Sequence, residues 1–363
     1  MPTIISTDDA FTTEELTLRA NEVERFPAVR TPTSGLFEID NISDRAVSID
    51  YEEASLTALT DGTWGTVLPK TTVSRDRRNF SLNAVKVGKT FDVLVGEVQS
   101  VRKTGEVTRE SLQSVQDRKA GRVFSSLEDY HERARIAAFD CKVIRNDGSV
   151  YADLRGAAYY DVAANPTIGL QLDAADPEPG SLRRALSNAK RLAEMSLKIG
   201  DAHATGFDVQ ANSDMHDLLR VHPETREAYA RWQDLAQPTE GTEIPFRFAG
   251  WNFFDYKRAG IASGIGLAVP RGVPGMFKTF FTPGDFTNVL NMPGMARYLS
   301  VEELAHDKGF EYEASTNALH ICNRPEGLWK FSAGAGDVSG QALADLVATA
   351  QEEASTPAAE PVE

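Results

Sequence analysis

Three histidines, His203, His216 and His222, fall within 20 positions of one another, with Asp201 and Asp214 among them. Imidazole and carboxylate together form a metal-binding donor set. Two ligands on one helical face must stand three or four residues apart, whereas these separations are 13 and 6. His222 directly precedes Pro223 and reads as a helix boundary, and the others read as surface or capping histidines. Thiol chemistry would draw on Cys141 beside Asp140, or on Cys322 near His320. Both cysteines read instead as ordinary buried residues of strands. Gly260, Gly264 and Gly266 run into Pro270 and Pro274 rather than into a helix, so they place no phosphate on a helix N-terminus. HExxH, GxxxxGK[ST] and GxSxG are all absent. The chain is therefore read as a non-enzyme with no catalytic residue, no cofactor and no metal.

A last cluster, Arg75, Arg77 and Arg78, could grip a phosphate or a nucleic-acid strand. No aromatic ladder accompanies it, and the segment expected opposite carries Asp50, Glu52 and Glu53. Charge pairing, within one ribbon or between subunits, is the favoured reading. Composition agrees: 53 acidic against 38 basic residues give a net charge of −15, which disfavours a clamp working by phosphate neutralisation. Of the 363 residues 41% are hydrophobic, with 18 Phe and four Trp, enough for a packed core. No apolar run approaches the roughly 18 residues that span a bilayer, and Met1 to Leu16 lacks an export signal. Two cysteines 181 positions apart form no disulfide framework and suit a reducing compartment. A soluble, acidic protein made in the cytosol is expected. The sequons at Asn41 and Asn79 are disregarded for that reason.

The elements that would position these residues follow from periodicity. Residues 1–40 read as an arm, with a short helix from Thr13 broken by Pro27, Pro32 and Gly35. Val47, Ile49 and Tyr51 alternate with polar residues, Asp61-Gly62 marks a turn, and Val73 to Leu82 can run back antiparallel. That gives a two-stranded ribbon, expected to be wet on both faces and marginal in isolation. Leu112, Val115, Val123, Leu127, Tyr130, Ala134 and Ala137 predict one long helix over 106–139 with a single buried face. Asp147-Gly148 closes a hairpin. Ser181 is expected to cap a helix striped by Leu182, Ala185, Leu186, Ala189, Leu192 and Ala193. Helices from Asp214 and Pro223 come next, then strands at 246–248, 251–253, 265–269 and 276–281. The C-terminal stretch drifts into Gly, Ala, Glu and Pro and reads as a mobile acidic tail. No internal repeat is found.

In that order the parts resemble the major capsid proteins of lambda-like tailed phages, the capsid protein E family, from about Phe11 to Leu328. The matching blocks are Ser34-Gly-Leu-Phe37, Val47-Ser-Ile-Asp-Tyr51, Gly96 to Arg102, Asp147-Gly-Ser-Val-Tyr151, His222 to Tyr229, Phe246 to Gly250, Val269-Pro-Arg-Gly272, Phe281-Thr-Pro-Gly-Asp-Phe286 and Ser315 to Pro325. Each is weak alone, and their order and spacing carry the resemblance. It implies an α+β, Hong Kong 97-like capsid fold: N-terminal arm (1–40), extended β-hairpin loop (41–92), peripheral domain with spine helix and hairpin (93–176), axial domain (177–300), a return to the peripheral domain (301–335) and an acidic flexible tail (336–363). It further implies self-assembly into pentamers and hexamers of an icosahedral shell, built in the host cytoplasm around double-stranded phage DNA held without sequence-specific binding. Implied partners are a scaffolding protein, a portal and a decoration protein, with no membrane. An encapsulin-like shell around protein cargo, and a soluble hydrolase using the 201–222 histidines, are the alternatives.

Overall fold

Two periodicities, 2.0 for strands and 3.6 for helices, decide which segments of this chain can bury one face. The computed structural model describes residues 13–22, 33–52, 77–98, 112–174, 177–197, 204–230, 246–258, 260–289, 292–338 and 340–355. The N-terminal half holds α1 (Thr13–Ala20), β1 (Glu38–Asn41), β2 (Ala46–Glu52), β3 (Arg77–Asn83), β4 (Val85–Leu94), α2 (Val95–Val98), α3 (Leu112–Ala138), β5 (Lys142–Ile144), β6 (Val150–Asp153) and β7 (Thr167–Gly169). After these come α4 (Ser181–Ser196), β8 (Gly206–Asn212), α5 (Ser213–Val221), α6 (Pro223–Ala230), β9 (Phe246–Phe248), β10 (Trp251–Tyr256), β11 (Ile265–Arg271), β12 (Phe277–Phe281), β13 (Tyr298–Glu303), β14 (Gly309–Cys322), β15 (Trp329–Ser332) and α7 (Gly340–Ser355). The result is an α+β fold, as expected.

Strand β14 organises the first sheet. β4 pairs antiparallel with residues 309–318 of β14, while β13 takes 310–315 and β12 takes 318–322. Residues 310–315 and 318 therefore bond on both edges. β1 adds in parallel to β12 and forms a sheet edge. The long helix lies against β14 and β4. Its stripe of Val115, Val123, Leu127, Tyr130 and Ala134 is buried with Val93, Leu299 and Tyr312, as the helical spacing predicts. The hairpin turns at Gly148, whose φ of 84° is easy only for glycine.

The second sheet has the order β7-β15-β11-β8-β10-β9. Its central strand β8 is buried on both faces, and it includes Asp208. A buried carboxylate needs partners. Asn252 Nδ2 donates to Asp208 Oδ1 at 2.8 Å and Arg271 Nε to Oδ2 at 2.8 Å. The six stripe residues predicted for α4 are all buried, and the Trp251 indole N–H donates to the Leu186 carbonyl at 2.9 Å.

Two expectations are corrected. The C-terminal tail begins with a helix: α7 packs on α4, and Leu343 and Val347 join the core of the second sheet. Leu343 and Val347 stand four residues apart, a minimal helical stripe diluted by alanine and acid. Ser181 does not cap α4. Gly180 precedes the helix in left-handed conformation, and the Glu224 carboxylate of α6 accepts from the Leu182 and Arg183 N–H groups at 3.1 and 3.2 Å. The chain crosses between the two sheets more than once: β7 and β15 belong to the second sheet, and β12 and β13 to the first.

Candidate assembly surfaces

The ribbon residues come first, as they carried the pairing expectation. β2 and β3 are antiparallel in the register Asp50↔Asn79, Tyr51↔Arg78, Glu52↔Arg77. Glu52 thus stands opposite Arg77, but Asp50 faces an amide, and Asn79 Nδ2 donates to its Oδ1 at 2.6 Å. Arg78 reaches Asp161 at 3.1 Å, outside the ribbon. Arg75, Glu53, the Asp61-Gly62 turn, His203 and Asp201 lie outside the described residues. The ribbon base is not wet on both faces, contrary to expectation. Val47, Ile49, Tyr51 and Leu82 are buried, Phe80 stacks edgewise on Tyr159 and Tyr160, and the Tyr51 hydroxyl donates to Glu326. The alternation that predicted the strand also supplies a one-sided apolar face, which the turn after β6 covers.

A buried polar seam lies behind these surfaces. Helix α3 carries Glu128, His131, Glu132 and Arg135 on one flank, and all are shielded. His131 Nδ1 lies 3.0 Å from His320 Nε2 on β14, and His320 Nδ1 lies 2.8 Å from Thr279 Oγ1 on β12. Thr33 Oγ1 donates to Glu132 Oε2 at 2.6 Å, and Arg135 stands 3.7 Å from the same oxygen. Arg297, just before β13, meets Glu128 at 3.0 Å, donates to the Ala20 carbonyl at 3.4 Å and lies over the Phe124 ring. This polar seam fastens the long helix to α1, to the turn before β1 and to three strands. Burial pushes the His131 imidazole down to about 3, helped by the Arg135 and Arg297 charges. Burial, then His131 and Arg135, hold His320 well below the ordinary histidine range. Both rings are therefore neutral, one donating and one accepting.

His216 packs edgewise on Phe246, and His222 ends α5 immediately before α6, the helix boundary expected of it. Among the described residues no group of three metal-ligating side chains converges, and no helix is long and apolar enough to cross a membrane. Two open hollows of about 470 and 660 Å³ flank the hairpin tip and share Asn146; charged side chains such as Lys86, Arg133, Arg145 and Arg258 line them. Ile39 on the edge strand β1 is 69% exposed and Val221 at the end of α5 is 66% exposed.

Comparison with known proteins places this geometry. The sequence pattern of the phage major capsid protein E family matches residues 12–333. A search of curated proteins finds no match. A protein assigned as the capsid protein of a prophage of E. coli CFT073 superposes with TM-score 0.57 at 9% identity, over 89% of this chain and 99% of that one. The capsids of the empty and the native GTA particle each give TM-score 0.52 at 10% identity, over 85% of this chain and 92% of theirs. These likenesses show the capsid fold, Hong Kong 97-like in architecture, and the sequence match covers both sheets, the ribbon base and the long helix. The chain belongs to the phage major capsid protein E family and is a tailed-phage capsid shell protein.

Proposed function

We propose that copies of this chain close into pentamers and hexamers and then into an icosahedral shell around double-stranded DNA. The observation that carries the reading is the family match across 12–333, which takes in both sheets and the long helix. Open strand edges and exposed residues such as Ile39 and Val221 support it, since a neighbouring copy is what would cover them. Assembly takes place in the host cytoplasm, and a scaffolding protein, a portal and a decoration protein act on the shell. The DNA is enclosed without sequence readout, in keeping with a net charge of −15. In this reading the peripheral part follows the first sheet and the axial part the second. Arg75, Arg77 and Arg78, with Asp50, Glu52 and Glu53, are read as the charges that pair within the ribbon or between subunits.

Light scattering and electron microscopy of the purified chain test the reading. Closed particles or capsomers are expected, and particles from infected cells should contain DNA. A well-folded monomer at high concentration in both low and high salt would overturn it, and protein cargo would favour the encapsulin-like alternative. Reversing Arg75, Arg77 and Arg78 to Glu should leave a soluble subunit that does not close shells. Normal particles from that variant would remove the ribbon arginines from the interface.

A further inference from the structure

Strand alternation and helical period sort the charges of the first sheet layer onto two opposite faces. The register sets Glu302 of β13 opposite Glu311 of β14, and Glu311 opposite Asp92 of β4. Side chains directly opposite share a face, and Glu313 joins them two residues along β14. Val93, Leu299, Tyr312 and Ala314 point the other way, into the core shared with α3. The face away from α3 is thus acidic. Among the described residues only Glu313 of these four has an ion pair, with Lys86 at 3.1 Å. A row of like charges across three strands destabilises the sheet that carries it.

The solvent side of α3 has the opposite sign. Arg122, Ser126, Asp129 and Arg133 recur there every three or four residues, away from the buried stripe. Each carboxylate of the helix is engaged: Asp117 by Arg19, Glu128 by Arg297, Asp129 by Arg258, and Glu132 by Thr33 and Arg135. Three arginines on this side are not neutralised in return. Among the described residues Arg122, Arg133 and, at the hairpin tip, Arg145 meet no carboxylate within ion-pair distance. Arg133 donates to the Asn146 carbonyl and to its side-chain oxygen, both at 3.4 Å. Arg145 lies over the Tyr151 ring, 5.4 Å from its centre. Both neighbours are neutral, so the guanidinium charges persist. Among the described residues, the hollow of about 660 Å³ beside Arg133 is lined by polar side chains alone.

We propose that this side of α3, with the hairpin tip, is the surface on which the shell touches the phosphate backbone of its DNA, the acidic sheet face turning away. The inference rests on the reading of the chain as a DNA-filled shell. Arg122 and Arg133 lie about 17 Å apart along the helix at roughly 1.5 Å per residue. Duplex DNA carries one charge per about 1.7 Å of its axis, so guanidiniums at that separation find phosphates whatever the sequence. A hollow lined by polar groups lacks the apolar anchor that centres a protein interface. The net charge of −15 disfavours wrapping of DNA by the whole subunit. Salt screens that charge beyond about 8–10 Å, so a local basic face still acts.

The test uses the purified full chain, and particles where they form. Binding of labelled mixed-sequence duplex DNA is followed by fluorescence anisotropy over a salt series. Wild type is expected to bind at low salt, to weaken as salt rises, and to treat unrelated sequences alike. Replacing Arg122 and Arg133 together by Glu should flatten the slope of log affinity against log salt by about 1 per arginine. Arg220→Glu, at an exposed arginine on α5, should leave that slope unchanged. Should the double Glu variant not fold, Arg122→Gln with Arg133→Gln takes its place. In DNA-filled particles phenylglyoxal should modify Arg122 and Arg133 less than in emptied ones. No duplex binding at low salt, equal slopes in wild type and double variant, or an equal change in Arg220→Glu would overturn the proposal. So would binding of polyglutamate in place of duplex, which would mark an acidic protein as the partner. Failure to form particles would count against the shell reading alone, because DNA binding is also measured on subunits.

Discussion

Acid should loosen the unassembled subunit through its buried histidine pair. His131 falls from an ordinary 6.5 to about 3 in the folded chain. A depressed folded value means that the unfolded chain takes the proton first. The stability this group contributes is complete above 6.5 and is lost as pH falls from there towards 3. Each pH unit in that window is worth about 1.4 kcal/mol. Bringing the subunit from pH 7 to about pH 4.5 therefore removes on the order of 2.7 kcal/mol from His131 alone. His320 adds to the loss in the same direction. Arg135 and Arg297 both oppose protonation, while Glu128 and Glu132 on the same helix are already engaged by Arg297, Thr33 and Arg135. Asp140 is also held down: burial would raise it, but hydrogen bonds from Lys142 and Lys330 keep it below 3.8, so its contribution is lost at lower pH than the step from pH 7 to about 4.5 reaches. The assay is denaturant unfolding of subunits at the two pH values, wild type beside His131→Gln, whose amide can still meet His320. The variant is expected to start less stable and to lose roughly 2–3 kcal/mol less on acidification. Equal acid losses in the two proteins would refute the reasoning.

Three further outcomes follow from packing. Leu343→Ala should destabilise by about 2–5 kcal/mol, because Leu343 is fully buried between α7 and the second sheet; thermal unfolding reads this, and an unchanged midpoint would return α7 to the status of a tail. Glu224→Ala should cost roughly 0.5–2 kcal/mol by uncapping α4, with little loss in Glu224→Gln, whose amide oxygen can still accept from one of the two N–H groups. Gly294→Ala should yield little soluble protein, since a Cβ there overlaps the Phe281 backbone, whereas Gly35→Ala, with open space around it, should express normally.

What the sequence disclosed and what it withheld separate along physical lines. The long helix, the Asp147-Gly148 hairpin and the α4 stripe are readable because local period and turn chemistry set them, whatever the partner. α7 escaped notice because two large apolar side chains in an alanine- and glutamate-rich segment resemble a solvated tail until α4 is placed beside it. The polar seam was equally hidden. Glu128, His131, Glu132 and Arg135 look like an exposed helix face, and the groups that bury them, Thr33, Thr279, Arg297 and His320, lie far away in the chain. The ribbon was half legible: alternation gave its strands, but opposing charges did not set the register, which leaves Asp50 on Asn79 and sends Arg78 to Asp161. Exposed ion pairs are too weak to dictate a register against a buried apolar face.

Strand β14 has a consequence for biosynthesis. It bonds along both edges, and β4, β12 and β13 all emerge from the ribosome before it. Until Gly309 to Cys322 has been made, those three strands have no central partner, and the long helix has no His320 to meet. The second sheet waits longer still, for β15 and α7. Sequence-distant pairing of this kind closes late and slowly. A nascent chain that has yet to make β14 and β15 therefore has neither sheet complete and no finished sheet face to offer a neighbour.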